Sequence, residues 1–369
     1  MKIKASLNKP SSEFNSGVSF DDVLIEPAYS EITSRQSISI SNSLDSSLSF
    51  QVPIISSPMD TVTESTMATA VSSSGGLGII HRYNTIDRQV HLVRTSIDQG
   101  ALYVGAAIGV KGDYIERAVE LVSNGVAVLC VDIAHGHHVL MKNALANLRN
   151  VLGSEVHIMA GNVATPEAFS DLASWGASSV RVGIGGGSIC STRLKTGHGV
   201  PTLQSIFNIS CRNTKMLPSP SYGKIPLIAD GGIKTAGDIV KALAAGADFV
   251  MLGSMLSGSP ETPGDILTIP DPENKTLTSY KVYRGMSSVE AQMDWRGHTS
   301  SLEGVSAFVK TKPSISTIIK ELANDIRSGL SYSGANTILE LQEKASFLSQ
   351  TSFGVRESGT HINTLNDSL

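Results

Sequence analysis

A glycine-rich loop that ends in a cysteine is the part of this chain whose residue types most clearly point to chemistry. Residues 183–193 read Gly-Ile-Gly-Gly-Gly-Ser-Ile-Cys-Ser-Thr-Arg and continue from the largely apolar run 179–184, which predicts a buried strand. Glycines let backbone N–H groups come close to an anion, and the Cys190 thiol lies just beyond them. A phosphate cradle beside a nucleophile predicts a site where a phosphorylated compound meets a reactive cysteine.

The other cysteines and a group of histidines are weaker candidates. Cys130 and Cys211 are expected to be small buried hydrophobic residues, and three cysteines so widely spaced make neither a disulfide framework nor a zinc site. The histidines His135, His137 and His138 could bind a metal, but loop histidines beside glycine are more often solvated or hydrogen-bonded. The cysteine usage therefore favours a reducing cytoplasm and leaves Cys190 as the candidate nucleophile.

Eight short apolar runs alternate with amphipathic helical patterns and predict the elements that would carry this loop. The strand candidates are residues 52–56, 76–80, 103–108, 126–132, 156–160, 179–184, 226–230 and 248–252. The helical patterns are residues 64–74, 87–98, 114–124, 139–152, 166–175, 202–213 and 236–245. Such alternation indicates a parallel sheet, and eight units predict a closed (β/α)8 TIM barrel, an α/β fold. A doubly wound sheet is the alternative, but its glycine fingerprint would follow the first strand.

The carboxyl ends of the predicted strands carry polar, glycine and cysteine residues. In (β/α)8 barrels the active site lies at that end, with phosphate often held after strands seven and eight. The residues at these ends are Ser57 to Asp60, Asp132, Asn162, Gly183 to Cys190, Asp230 to Gly232, and Gly253 with Ser254. Asp60 and Asp230 have a second interpretation as helix N-caps. A barrel would gather these loops into one site.

The chain beyond the eighth strand carries fewer signals. A polar stretch at 257–278 precedes Tyr283, residues 287–302 predict a mobile flap, and helical patterns follow at 314–328 and 335–347. Residues 350–369 complete a C-terminal helical tail, and residues 1–369 are expected to form a single domain. Three lysines are expected to be solvated charges, namely Lys241, Lys310 and Lys320.

The composition argues against several classes of protein. Hydrophobic residues make up 41% of the 369 residues, which is enough for a large core. The net charge is −4 and no basic block occurs, so no nucleic-acid partner is expected. No apolar run approaches the length of a membrane span and the first residues lack a signal-peptide core, so we expect a cytoplasmic protein without a membrane partner.

Taken in order along the chain, these segments resemble the IMP dehydrogenase/GMP reductase family. The matching segments are residues 20–24, 57–64, 104–109, 132–137, 160–163, 229–233, 251–254 and 283–286, together with the Cys190 loop. Each segment alone is weak, but their order on successive strand ends is specific. The resemblance implies a TIM barrel that performs oxidoreductase chemistry at C2 of a purine nucleoside 5′-monophosphate, with NAD or NADP as cofactor.

The resemblance also implies roles for single residues. Cys190 would be the nucleophile that forms a covalent thioimidate at C2, and Thr192 with Glu303 would relay protons. The substrate-binding residues would be Ser57, Met59, Ser188, Asp230, Gly231, Gly232, Gly253, Ser254, Tyr283, Gly285 and Met286, with Asp230 at the ribose hydroxyls. The residues facing the cofactor would be Asp132, Asn162 and Gly183.

A monovalent cation and a subunit arrangement are implied in the same way. Backbone carbonyls at Gly185, Gly187, Ile189 and Cys190 would bind potassium together with Glu357, Ser358 and Gly359 of a neighbouring subunit, which implies a homotetramer. Dehydrogenases of the family usually carry two CBS modules between strands two and three. Only residues 82–101 separate those strands here, so no CBS domain is expected.

The resemblance leaves two reactions open. The dehydrogenase converts IMP, NAD and water to XMP and NADH, whereas the reductase converts GMP and NADPH to IMP, ammonia and NADP. Residues 58–64, 132–137, 229–247 and 356–358 favour the dehydrogenase. The reductase is favoured by the Met-Ser pair at 286–287 and by a short flap with Arg296 but no tyrosine, since dehydrogenases carry an arginine–tyrosine pair there. Over the whole chain we expect an IMP dehydrogenase, with GMP reductase as the alternative.

Two further classes stay open. A flavin-dependent barrel would also hold phosphate after strands seven and eight, but it needs no cysteine in the sixth loop. A catalytically silent nucleotide-binding protein would fit the unusual flap. Fold analogy by itself does not choose among them.

Overall fold

Eight parallel strands form a closed barrel at the centre of the structure, a computed structural model that describes residues 17–216, 224–270 and 275–359. The strands are β1 (Val23–Ile25), β2 (Asn42–Ser43), β3 (Ser49–Phe50), β4 (Ile54–Ser56), β5 (Leu77–Ile80), β6 (Val104–Ile108), β7 (Val128–Asp132), β8 (His157–Val163), β9 (Ser179–Val182), β10 (Leu227–Asp230), β11 (Phe249–Leu252), β12 (Leu267–Pro270), β13 (Leu277–Arg284), β14 (Ser306–Lys310) and β15 (Phe347–Ser349). Strands β4 to β11 pair in sequence order and β11 closes on β4, so the predicted (β/α)8 barrel is confirmed.

Helices follow the barrel strands as the sequence predicts. They are α1 (Ser65–Ser73), α2 (Ile86–Asp98), α3 (Tyr114–Ser123), α4 (Val139–Leu152), α5 (Pro166–Ser174), α6 (Thr192–Thr196), α7 (Thr202–Met216), α8 (Ala236–Ala244), α9 (Val289–Arg296), α10 (Ile315–Tyr332), α11 (Ile338–Lys344) and α12 (Ser352–Glu357). Every predicted strand overlaps a barrel strand, and every helical pattern predicted before residue 250 overlaps a helix.

Threonine side chains fix where three of the barrel helices begin. The hydroxyls of Thr85, Thr165 and Thr235 accept hydrogen bonds from backbone N–H groups in the first turns of α2, α5 and α8. At α8 the Asp238 carboxylate also accepts from the Thr235 N–H group, which completes a capping box. These caps set the lengths of three of the loops between strands and helices at the carboxyl end.

An apolar cluster packs inside the barrel, and a hairpin closes its amino end. Side chains such as Phe249 and Met251 pack inside it with Cys130, which is fully buried as predicted. Burial raises the pKa of the Cys130 thiol to about 11. Strands β2 and β3 form the hairpin, and Phe50 packs edge-to-face on Phe249. Access to the interior is therefore blocked at this end.

Additional strands lie outside the barrel where the sequence predicts none. Strand β1 pairs with β15, so the start and the end of the described chain are joined. Strands β12, β13 and β14 form an antiparallel sheet, although residues 257–278 read as a polar stretch. The helix expected over 335–347 is shorter than predicted, since α11 ends at Lys344 and Phe347 begins β15.

Within the described residues, none of the helices is long and apolar enough to cross a membrane.

Candidate active site

A cavity of about 310 Å³ opens at the carboxyl ends of the barrel strands. All of the predicted catalytic, substrate-binding and cofactor-facing residues line it, from Ser57 and Met59 after β4 to Glu303 before β14. Gly185 and Gly187 of the predicted cation loop line it as well. The structure therefore brings the sequence-predicted residues of one chain together, apart from the tail residues Glu357, Ser358 and Gly359.

Three side chains form a hydrogen-bonded chain in this cavity. The Cys190 thiol donates to Thr192 Oγ1 at 3.1 Å, and the Thr192 hydroxyl donates to Glu303 Oε2 at 2.7 Å. The backbone holds the two segments together, because Ser191 N donates to Glu303 O at 2.7 Å and Cys190 bridges to Gly304. A proton can thus move between a thiol and a carboxylate through one hydroxyl.

Closely packed loops and a buried phenol form one end of the cavity. Gly231 has φ +88°, and a Cβ there would lie 3.0 Å from Gly187 N, so only glycine lets these two loops meet. The Tyr283 hydroxyl shares hydrogen bonds with Ser188 and Ser254, and burial raises its pKa to about 12. Neutral hydroxyls lie beside glycine-rich loops at this end of the cavity, and such a combination suits a phosphate.

Arg181 on β9 is a residue of this site that the sequence interpretation missed. Its side chain is 6% exposed and reaches two carboxylates, Asp132 Oδ1 at 2.7 Å and Asp230 Oδ2 at 2.8 Å. Burial opposes the charge, yet the neighbouring anionic groups raise the pKa of Arg181 well above its usual value. Asn162 Nδ2 also donates to Asp230 Oδ2, at 2.8 Å. A charged residue inside an otherwise apolar strand was the available signal.

A second arginine joins the β4 loop to the segment after β13. Arg284 donates to Asp60 Oδ2 from Nε at 2.9 Å and from Nη2 at 2.6 Å, and Asp60 N donates to Met286 Sδ at 3.4 Å. Asp60 and Asp230 are therefore held by arginines, and the interpretation of either as a helix N-cap is wrong. The N-cap positions of the following helices are Glu64 and Thr235.

The other end of the cavity contains Arg82 and Tyr83, which the sequence interpretation also missed. Arg82 Nε lies 3.6 Å from Asp132 Oδ2, and the Arg82 guanidinium carbon is 5.4 Å from the centre of the Tyr83 ring. The Tyr83 ring stacks on Trp295 of α9, with 5.9 Å between ring centres and 15° between planes. This end combines positive charge with aromatic surface.

The loop histidines have ordinary partners. His137 Nε2 lies 2.9 Å from Asp171 Oδ2, and the His137 ring stacks on the Trp175 ring. His138 Nδ1 accepts a hydrogen bond from Leu140 N at the start of α4. Burial lowers the pKa of His135. Among the described residues, no group of three or more His, Cys, Asp or Glu side chains could hold a metal ion.

The structure tests the prediction of three solvated lysines, whereas it leaves the predicted cation site untested. Lys241 Nζ donates to the Phe20 carbonyl at 2.8 Å and is mostly buried, so its prediction as a solvated charge is wrong, whereas Lys310 and Lys320 are exposed. Ser358 bonds to Gln350 and Gly354 within the C-terminal tail. The cation site predicted with a neighbouring tail stays a prediction.

Proteins similar to this chain include both IMP dehydrogenases and GMP reductases. A model of the IMP dehydrogenase / GMP reductase domain matches residues 17–361. The inosine-5′-monophosphate dehydrogenase of Cryptosporidium parvum is 37% identical, covering 94% of this chain and 95% of that protein. The GMP reductase of Leishmania major is 31% identical, covering 94% and 96%. A GMP reductase from Trypanosoma brucei in complex with guanosine 5′-monophosphate superposes with a TM-score of 0.87 at 29% identity, covering 96% of this chain and 99% of that one.

Proposed function

This chain belongs to the IMP dehydrogenase / GMP reductase family, and from that premise we propose that it oxidises or reduces C2 of a purine nucleoside 5′-monophosphate through Cys190. The observation that carries the proposal is the hydrogen-bonded chain from the Cys190 thiol through Thr192 to Glu303. A nucleophile, a relaying hydroxyl and a carboxylate are the groups that a covalent reaction with proton transfer needs.

The end of the cavity at Tyr283 would hold the nucleotide. Its 5′-phosphate would bind backbone N–H groups of Gly231 and Gly253 and the hydroxyls of Ser188 and Tyr283, all of which line the cavity. The Asp230 carboxylate, fixed by Arg181, would accept hydrogen bonds from the ribose hydroxyls. Held in this way, the base would lie with C2 over the Cys190 sulfur.

The opposite end of the cavity fits a polar second ligand. Asn162 and Arg82 line it, and the buried atoms Asn162 Oδ1 and Arg82 Nε make no hydrogen bond within the protein. Asp132 stands between them with its carboxylate fixed by Arg181. A bound nicotinamide dinucleotide would accept a hydride from C2 or deliver one to it. The residues of this end would orient that ligand and exclude water.

Proton transfer would be the task of Thr192 and Glu303. When Cys190 Sγ adds to C2, the thiol proton would pass to Thr192 as the Thr192 proton passes to Glu303. For IMP, loss of hydride leaves a thioimidate on Cys190, and hydrolysis by water gives XMP and returns the thiol. For GMP, the same adduct forms as C2 loses its amino group as ammonia, and hydride then releases IMP. In both cases Glu303 exchanges a proton with the entering or leaving group.

We propose oxidation of IMP as the reaction of this chain. It is supported by 37% identity to a dehydrogenase along nearly the whole chain and by a carboxylate placed to activate water. Between β5 and β6 the chain forms the single helix α2.

One observation favours GMP reduction as the second candidate. The only arginine of the flap helix, Arg296, is bonded to its own surroundings, with Nη2 on Ser300 Oγ at 2.8 Å and on Gln292 Oε1. Arg296 does not line the cavity. The flap, residues 287–302, contains no tyrosine. Reduction of GMP releases ammonia as the adduct forms and ends in hydride transfer to C2, so it needs no arginine to activate water.

Nicotinamide absorbance in two cuvettes tests the proposal. The protein in potassium buffer would receive IMP with NAD in one cuvette and GMP with NADPH in the other. A rise at 340 nm in the first is expected for the dehydrogenase, and a fall in the second would establish the reductase instead. Tight binding of IMP with no change in either cuvette would contradict both and leave a nucleotide-binding protein.

Potassium and the tetramer are parts of the same proposal. The carbonyls near Cys190 would bind the cation only with Glu357, Ser358 and Gly359 of a neighbouring subunit. Activity should therefore fall when potassium is left out at constant ionic strength, and sedimentation should show four copies. A fully active monomer would contradict both expectations.

A further inference from the structure

The turn after β11, residues 253–257, is held from behind by a lysine. Lys312 lies just beyond β14 and donates from Nζ to Ser254 O at 2.6 Å and to Met255 O at 3.3 Å. Its backbone N–H group also donates to the Gly258 carbonyl at 2.9 Å, where the chain leaves the turn. The segment after the outer sheet therefore fixes the backbone of this turn through a single residue.

The other side of the same turn faces the Tyr283 end of the cavity. Gly253 and Ser254 line the cavity, and Ser254 shares a hydrogen bond with the Tyr283 hydroxyl. A Cβ on Gly253 would lie 2.9 Å from that hydroxyl oxygen, so the turn packs closely against the phenol. Lys312 does not line the cavity. A displacement of the Ser254 carbonyl would therefore move groups that face the cavity, although Lys312 itself does not.

The ammonium group of Lys312 differs from two other lysines near this end of the cavity. Lys234 Nζ lies 2.9 Å from Asp21 Oδ2, and the Glu261 carboxylate favours the charged form of Lys281. Lys312 is half-buried and burial lowers its pKa, while no carboxylate in the described part of the chain forms an ion pair with it. A partly buried cation without an anion is costly, so an anionic ligand on the far side of the turn would be stabilised by it.

We propose that Lys312 is a positioning residue for the 5′-phosphate: it fixes the turn after β11 and keeps a positive charge behind it. The proposal rests on the function proposed above, in which the phosphate binds at Ser188, Gly253 and Tyr283. The hydroxyls and backbone groups named there are neutral, so a cation behind the turn supplies charge that the phosphate dianion otherwise lacks. Hydrogen bonds in series polarise one another, so a cation on the carbonyls also strengthens donors on the cavity side.

Binding of a nucleotide and of the matching nucleoside separates this role from a purely structural one. In Lys312→Met, calorimetry should show the affinity for IMP lowered by about tenfold or more, because a charge and two hydrogen bonds are lost. The affinity for inosine, which has no phosphate, should change by less than about twofold. Lys312→Arg should restore most of the IMP affinity, and Lys320→Met, at an exposed lysine of α10, should bind both compounds as the wild type does. Equal losses for IMP and inosine, or no loss for IMP, would overturn the proposal.

Steady-state kinetics give a second measurement that needs no nucleoside. Lys312→Met should raise KM for the substrate nucleotide by about tenfold and leave kcat within about twofold, since Cys190, Thr192 and Glu303 are untouched. A fall in kcat with an unchanged KM would contradict the role of Lys312.

A variant without charge covers the case in which Lys312→Met does not fold. Lys312→Gln keeps a donor for one carbonyl, and it should still lose at least about fivefold in IMP affinity. Wild-type affinity in Lys312→Gln would overturn the charge argument. If the wild-type protein binds neither IMP nor GMP, the proposed function fails and this proposal with it. If the wild type binds and turns over its nucleotide and Lys312→Met does so with the same KM, only the role of Lys312 is wrong.

Discussion

Each end of the barrel contains a hydrogen-bonded series of three polar side chains, but one series is open to a cavity and the other is buried. At the carboxyl end, Cys190, Thr192 and Glu303 line an open cavity. At the amino end, His157 Nδ1 donates to Asp45 Oδ2 at 2.6 Å, and His157 Nε2 lies 2.9 Å from Ser179 Oγ.

A serine, a histidine and an aspartate in this order look like a catalytic triad. The His157 side chain is only 1% exposed, however, and Ser179 is fully buried. The Asp45 carboxylate comes from the β2–β3 hairpin, so the chain of bonds fastens that hairpin to the barrel. The comparison teaches that access to a substrate separates a site from a structural network, even where the residue types suggest catalysis in both.

Loss of the nucleophile should have the largest effect. Cys190→Ala is expected to lower turnover by at least about 10⁴-fold, because no thiol remains to add to C2. Nucleotide binding measured by calorimetry should change little, since other residues hold the phosphate. Cys211→Ala is the matched control and should keep normal activity. Appreciable turnover in Cys190→Ala would contradict covalent catalysis.

Loss of the carboxylate should have the next largest effect. Glu303→Gln is expected to lower kcat by about 10²- to 10⁴-fold, since the amide cannot take the proton from Thr192. Stopped-flow absorbance should show that the hydride step slows less than the hydrolytic or ammonia step. Glu290→Gln, at an exposed flap carboxylate bonded to Ser306, is the control. Equal slowing of both steps would count against this role.

At the amino end, a substitution should affect stability and spare activity. Asp45→Asn is expected to lower the free energy of unfolding by about 1–3 kcal/mol, because the buried His157 loses its charged acceptor. Urea unfolding measures this, and kcat at 25 °C should stay near the wild-type value. The exposed Asp98→Asn is the control. A large loss of kcat with unchanged stability would make this network a second site.

The loss of folding stability caused by Asp45→Asn should depend on pH. The hydrogen bond from His157 holds the pKa of Asp45 well below its usual range. In the unfolded chain an aspartate has a pKa of about 3.9. Because the pKa of Asp45 is lower in the folded protein, the ionised carboxylate stabilises the fold at pH values above about 3.9. This stabilisation is lost as the pH falls toward the pKa of the folded state. The stability difference between wild type and Asp45→Asn should therefore narrow below about pH 4. A constant difference down to pH 3 would contradict the assignment.

The smallest effect is expected for a residue near the carboxyl end but outside the cavity. Arg296 bonds within the flap, so Arg296→Ala should change kcat by no more than about threefold. Steady-state rates with both substrate pairs measure this, and Arg296→Lys serves as the conservative control. A loss of about 10²-fold would mean that Arg296 reaches the reacting atoms during turnover.

The barrel was predictable because its strands are short, apolar and regularly spaced. Pairings between distant segments were not predictable, since β1 meets β15 more than three hundred residues along the chain. The strands of the outer sheet were hidden for another reason. Strand β12 is exposed along its whole length, so Leu267 to Pro270 show no buried apolar run, and the pairing with β13 depends on register alone.

The site residues that lie at or just after the carboxyl ends of the barrel strands were predictable from the sequence. Cys190, Asp230 and Tyr283 lie in segments that resemble one family, and the fold gathers them. Arg181 was missed because it lies inside a strand and acts through side chains from two other strands, β7 and β10. The stack of Tyr83 on Trp295 joins residues more than two hundred positions apart, for which the sequence offers no signal.

Arg181 has a consequence for how the two ligands influence each other. One buried guanidinium holds both Asp230, proposed at the ribose, and Asp132, proposed at the dinucleotide. If the two ligands bind there as proposed, a hydrogen bond from one ligand to its carboxylate would change how strongly Arg181 attracts the other carboxylate, and the two sites would share a coupling free energy. Thermodynamic linkage makes that coupling reciprocal. The nucleotide should change the affinity for the dinucleotide by the same factor as the dinucleotide changes the affinity for the nucleotide, and a neutral side chain at position 181 should bring that factor close to one.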